Sequence, residues 1–227
     1  MKNIINKKII MIGTPIFLML LFILVYLKGF TNDIDSIRFK KEYENLNKEY
    51  YTIKINKNNP IKYSNYNEIF NVIKKKTGII FFGYPEDNNS RFAIEMLLNV
   101  IENNTFDTKI YYLDIHKDRD AYTIENDKLV YKKENNKELK GTKNYFKLLK
   151  LLDKNLSDYT ISIGEKNYEV GEKRIYFPSF VFIKNGKVIE VITATIDLES
   201  DELYEIFENY LLNMYSSSCE VGNTQPC

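Results

Sequence analysis

The chain has 227 residues, room for one domain of ordinary size plus accessory segments, and its apolar content of 44% is that of a chain that buries a core. Thirty-two basic residues against thirty-one acidic ones leave a formal charge of +1, so no long-range field draws the protein to nucleic acid or to an anionic surface. The only two cysteines are Cys219 and Cys227, and without a CxxC pair neither a paired-cysteine zinc site nor the usual redox motif can be built.

Ile9 to Leu27 runs nineteen residues without a charge, which as a helix spans roughly 28 Å of hydrocarbon. Lys28-Gly29-Phe30-Thr31 follows with no small-residue cleavage pattern, so the segment is expected to be an uncleaved anchor. Lys2, Lys7 and Lys8 precede it and Asp33 and Asp35 follow, which keeps residues 1–8 in the cytoplasm and the C-terminal part outside the plasma membrane.

Beyond the anchor, 28–60 reads as a juxtamembrane stalk. In it, Ile37, Phe39, Tyr43 and Leu46 stand at roughly helical spacing, and Tyr51 to Ile55 alternates as a short strand that Pro60 follows. Asn67 to Lys75 has helical apolar spacing. Gly78 to Gly83 is a continuous apolar run between glycines, the pattern of a strand buried on both faces. A polar loop leads into a helix over Arg91 to Glu102, with Ile94, Leu97, Leu98 and Ile101 as its stripe, and Lys109 to Ile115 is the next strand. Strand, helix, strand makes a right-handed βαβ unit.

Residues 120–173 read as an insertion. It holds a hairpin around Asn126-Asp127, a helix over Lys143 to Leu152 and a second hairpin around Gly164-Glu165. Phe180 to Ile183 and Val188 to Thr193 flank Asn185-Gly186, the signal of a tight hairpin, and a helix over Leu198 to Met214 closes a domain of residues 61–214. The tail 215–227 carries both cysteines.

The order βαβ then ββα, with two local motifs, resembles the membrane-anchored bacterial thioredoxin-like family. The first motif is Phe81-Phe82-Gly83-Tyr84-Pro85-Glu86-Asp87-Asn88-Asn89-Ser90-Arg91, similar to the family's F-G-x-P-x-C-P-x-C-R. The second is Tyr176-Phe177-Pro178-Ser179-Phe180-Val181-Phe182, similar to its cis-proline segment. The resemblance covers most of 39–214 and implies an α/β thioredoxin-like fold around a central mixed sheet. It places Asp87 at the nucleophilic thiol and Ser90 at the resolving one, a degenerate site. An Asp cannot form a mixed disulfide and a Ser hydroxyl cannot be oxidised to one, so thiol exchange at this place is excluded and no catalytic residue, cofactor or metal is expected.

Asp87 to Ser90 are all favoured helix N-cap types, and capping is their expected role; the competing reading is that Asp87, beside Glu86 and facing the Pro178 loop, makes an anionic contact for a basic peptide. The resemblance makes Phe177 and Pro178, with Tyr84 opposite, the candidate contacts for an extended polypeptide; the competing reading of Pro178 is the turn that opens a strand. His116, the sole histidine, stands among Asp114, Asp118 and Asp120, a set expected to be a solvated loop rather than a cation site because sequence neighbours need not converge. Cys219 and Cys227 could close a small disulfide in an oxidising compartment. Three functions remain open at this point. They are an extracytoplasmic module that binds polypeptides, a thiol-disulfide oxidoreductase using Cys219/Cys227, and a subunit of an envelope complex that uses the fold as a scaffold.

Overall fold

The computed structural model describes residues 34–216, except 127, 164–165 and 195–198, together with Met19. The expected anchor at 9–27 and the Cys219/Cys227 tail lie outside these residues. Among the described residues no helix is long and apolar enough to cross a membrane.

The domain is a mixed α/β structure with five helices around a central sheet. Helix α1 is described over 34–44; it is followed by β1 (Ile61–Tyr63), α2 (Tyr66–Lys75), β2 (Gly78–Phe82), α3 (Asn88–Asn103) and β3 (Ile110–Tyr112). Next come two hairpins, β4 (Tyr122–Glu125) with β5 (Lys128–Tyr131) and β6 (Lys133–Glu134) with β7 (Lys137–Glu138). Then follow α4 (Lys143–Leu152), the hairpin β8 (Ser157–Ile163) and β9 (Lys166–Arg174), β10 (Ser179–Lys184), β11 (Lys187–Thr193) and α5 (Ser200–Tyr215). The central sheet has the order β1-β3-β2-β10-β11. β1, β3 and β2 are mutually parallel, while β10 runs antiparallel to both its neighbours.

The apolar run of β2 is explained by its place in the middle of a sheet covered on both faces. Alternate residues feed two separate cores. Ile79 and Phe81 join Phe180, Phe182, Ile110 and Tyr112 under α1, α3 and α5. Ile80 and Phe82 join Val181, Ile183 and Tyr111 under α2 and α4. The β10–β11 turn has positive φ at Asn185 (51°) and Gly186 (73°), as a tight hairpin requires. Gly186 also donates its N–H to Lys76 O at 2.8 Å, and a Cβ there would stand 2.3 Å from Lys74 O, so the turn docks on the end of α2 only because that residue is glycine.

The stalk expected over 28–60 is, from residue 34 onward, part of the domain. Phe39 and Tyr43 are fully buried in the core of β2 and β3, with their rings stacked at 4.2 Å and Phe39 edge-on to Tyr112 at 5.1 Å. Burying each such ring is worth roughly 1.5–3 kcal/mol, which a free spacer would forgo. The strand expected at Tyr51–Ile55 does not form, although Ile53 and Ile55 are buried as its alternation requires. Its N–H groups go to side chains in place of a neighbouring strand. Asn88 Oδ1 accepts from Tyr51 N, Asn47 Oδ1 from Ile53 N, Glu95 Oε1 from Lys54 N and Glu44 Oε1 from Ile55 N, at 2.7–3.0 Å.

Candidate functional site

The loop between β2 and α3 occupies the position where the resemblance puts a dithiol. Gly83 is needed there because a Cβ would stand 2.4 Å from the Phe81 ring and 2.8 Å from Ser90 Oγ. Asp87 is the N-cap of α3. Its Oδ2 accepts the Ser90 N–H at 2.7 Å and the Ser90 hydroxyl at 2.5 Å, so the two degenerate positions bond to each other. Ser90 is fully buried and its hydroxyl is spent on the Asp87 cap.

Arg91, the next residue, is buried completely. Its guanidinium donates to Tyr43 O (2.8 Å), Tyr51 O (2.5 Å), Pro85 O (3.0 Å) and Asn47 Oδ1 (2.6 Å). One side chain thereby ties α1, the segment after it and the 83–87 loop to the start of α3. Its acceptors are all neutral, and burial lowers its pKa.

The second loop, 175–178, is brought against the first by strand register. Ser179 pairs with Phe82 and Phe180 with Phe81, so Pro178 and Phe177 fall opposite Gly83 and Tyr84. Phe177 and Pro178 are joined by a cis peptide bond. The rings of Tyr84 and Phe177 meet edge-on at 5.3 Å, which places the three candidate contacts in one spot. The Phe177 N–H and C=O bond to no other described residue, whereas Pro178 O accepts from Ala194 N and Tyr176 O from Ser179 Oγ.

His116 stacks on the other side of Tyr84 at 4.7 Å, and its Nδ1 lies 2.6 Å from Asp114 Oδ1. It is half-buried rather than a freely solvated loop residue, and its neighbouring acids diverge. Asp118 accepts from the Tyr66 hydroxyl, and the buried Asp120 faces Arg174 at 3.7 Å. Among the described residues no three His, Cys, Asp or Glu side chains converge as a metal site. Arg119, from the same run, lies over the Phe177 ring at 3.7 Å from its centre. Burial, and then the Arg174 charge, push its pKa down to about 10.

A cleft of about 620 Å³ opens beside the 83–87 loop, lined by Glu42, Tyr63, Pro85, Glu86, Asp114 and His116 among others, but not by Tyr84, Phe177 or Pro178. It sits past the carboxyl ends of the parallel strands β1, β2 and β3, where open α/β sheets usually place their ligands. A second cavity of about 320 Å³ lies at the opposite end, near Pro60 and Thr108, and none of the expected site residues line it. Arg119 and the cleft had no role in the sequence reading, and Arg91 entered it only as the last residue of the first motif. For Arg91 a signal existed, a charge placed on the apolar stripe of α3 with Ile94, Leu98 and Ile101. Cys219 and Cys227, lying outside the described residues, are not placed relative to either loop.

The fold and site define a mixed α/β domain with two facing loops and a capped helix start. No family model matches the chain, and neither a curated protein nor a solved structure is significantly similar to it.

Proposed function

We propose that this chain is a thioredoxin-like domain tethered to the plasma membrane by residues 9–27, with the domain outside the cell, and that it binds extended polypeptides at the Phe177–Pro178 loop without exchanging disulfides. The observation that carries this reading is the main chain of Phe177, which bonds to no other described residue and is held by register opposite Tyr84; its N–H and C=O are the groups that would pair with an incoming strand. The order β1-β3-β2-β10-β11, with helices on both faces and the 83–87 loop entering α3, supports the thioredoxin-like assignment. The Asp87–Ser90 bond pair supports the lack of thiol chemistry, because it occupies the place of both sulfurs with groups that cap a helix.

The test uses the full chain and a fluorescent extended peptide of neutral residues, capped at both ends. Saturable binding is expected, weakened about tenfold or more when Tyr84→Ala and Phe177→Ala are combined, as loss of an edge-on aromatic pair implies. Unchanged binding by the double variant would remove the loop from the reading. Catalysed reduction of insulin that disappears in Cys219→Ser would replace the whole reading with the tail oxidoreductase.

A further inference from the structure

Arg119 stands beside the polypeptide loop with most of its hydrogen-bonding capacity unspent. Nη1 donates to Ile175 O at 3.0 Å, Nε is sealed from water without a partner, and Nη2 meets no acceptor among the described residues. The Phe177 ring covers one face of the guanidinium, and Nη2, unlike Nε, is not sealed from water. No described carboxylate lies within ion-pair distance of it. The acids nearby are otherwise engaged: Asp120 faces Arg174, Asp114 holds His116, Asp118 accepts from Tyr66 and Asp87 caps α3, while Glu86 is exposed. The other guanidinium in this region, Arg174, adds a second positive charge.

A half-buried guanidinium with Nη2 unspent is suited to one chemistry above others, a carboxylate, which it holds through a charge-assisted hydrogen bond. Partial desolvation strengthens such a pair relative to one on an open surface. We infer that Arg119 is a specificity-determining residue that takes a carboxylate of the polypeptide lying along Phe177–Pro178, so that the site selects acidic segments. This rests on the polypeptide-binding reading above and adds its substrate class. A purely structural Arg119 would brace Phe177 through the ring and Ile175 contacts alone, and would not discriminate ligand charge.

The experiment titrates the full chain with N-acetylated, C-amidated peptides that differ only by Glu, Gln or Lys at one scanned position, and with the Gln peptide carrying a free C-terminus. Wild-type chain is expected to bind one Glu peptide about tenfold more tightly than its Gln counterpart, the worth of a charge-assisted hydrogen bond. That ratio should shrink as salt rises. Arg119→Gln should bring it to about one, whatever loss of the Phe177 stack does to the affinity for both peptides, and Arg119→Lys should restore part of it, since the ammonium keeps the charge. A comparable gain from the free C-terminus, lost in Arg119→Gln, would assign the pocket to a chain end while keeping the carboxylate chemistry. Equal binding of Glu and Gln peptides, a preference for Lys, or a Glu preference that survives Arg119→Gln would each overturn the inference and leave polypeptide binding standing. Binding of no peptide would overturn both.

Discussion

Two arginines flank the same pair of loops and are treated in opposite ways. Arg91 is fully buried and meets four neutral oxygens within 3.0 Å. Arg119 is half-buried, stacks on Phe177 and bonds a single carbonyl. A guanidinium whose N–H groups all face fixed protein acceptors holds structure together and has nothing left for a ligand. One with an N–H group unspent can recognise something. The 83–87 loop is accordingly anchored through Arg91, and the 175–178 loop is the side on which the proposed binding depends.

The largest expected effect tests the anchored loop. Arg91→Met removes the donor to four buried or half-buried acceptors, and the cost should be about 4 kcal/mol, the range seen when a buried charge network loses one member. Urea unfolding of the purified chain, followed by tyrosine fluorescence since there is no Trp, measures it. A cost under about 1 kcal/mol would mean that water replaces the side chain and that Arg91 is not a clamp. Phe39→Ala should follow at about 3 kcal/mol through the cavity it leaves between Tyr43 and Tyr112. A near-neutral result there would return α1 to the status of a detachable spacer.

Smaller effects separate the two loops. Asp87→Ala should cost about 1 kcal/mol, the loss of an N-cap, and should free the Ser90 hydroxyl without creating any thiol-like activity. Arg119→Gln should cost less than about 1 kcal/mol, because one ring contact and one hydrogen bond are lost. A loss equal to that of Arg91→Met would erase the comparison.

Much of the fold was legible because its signals are local. Lys143–Leu152 forms the helix that its spacing predicts, and β2 and the Asn185-Gly186 hairpin lie where the apolar run and the turn residues put them. The failures have a common cause in contacts between distant segments. Tyr51–Ile55 shows strand alternation, yet Asn47, Glu44, Asn88 and Glu95 take its N–H groups, and no local pattern announces that. β1 was missed because three residues after Pro60 carry too little period to read. The turn at Asn135-Asn136, both at positive φ, was available as a signal for β6–β7 and was passed over. In the site, Asp87, Ser90, Tyr84, Phe177 and Pro178 were legible from two motifs, whereas Arg119 gains its meaning only when the chain returns from β9 to lay Phe177 against it.

The smallest effect separates the two sides by pH. The region around Arg119 holds buried titratable groups, and the region around Arg91 answers its charge with carbonyls and an amide. Glu172 has a buried Oε2 without a described partner, and burial, then Asp120, raise its pKa above 4.5. A carboxyl whose folded pKa lies above its unfolded value binds its proton more tightly in the folded chain. Its ionisation therefore opposes folding. The penalty is full above the folded pKa and fades as pH falls through it toward the unfolded value. Glu172→Gln should thus raise the urea midpoint at neutral pH and leave it nearly unchanged below pH 4.5. Arg91→Met should lower the midpoint equally at both, since none of its four acceptors titrates in that window. If Glu172→Gln shifts the midpoint by the same amount at the two pH values, the carboxylate is solvated in the folded chain.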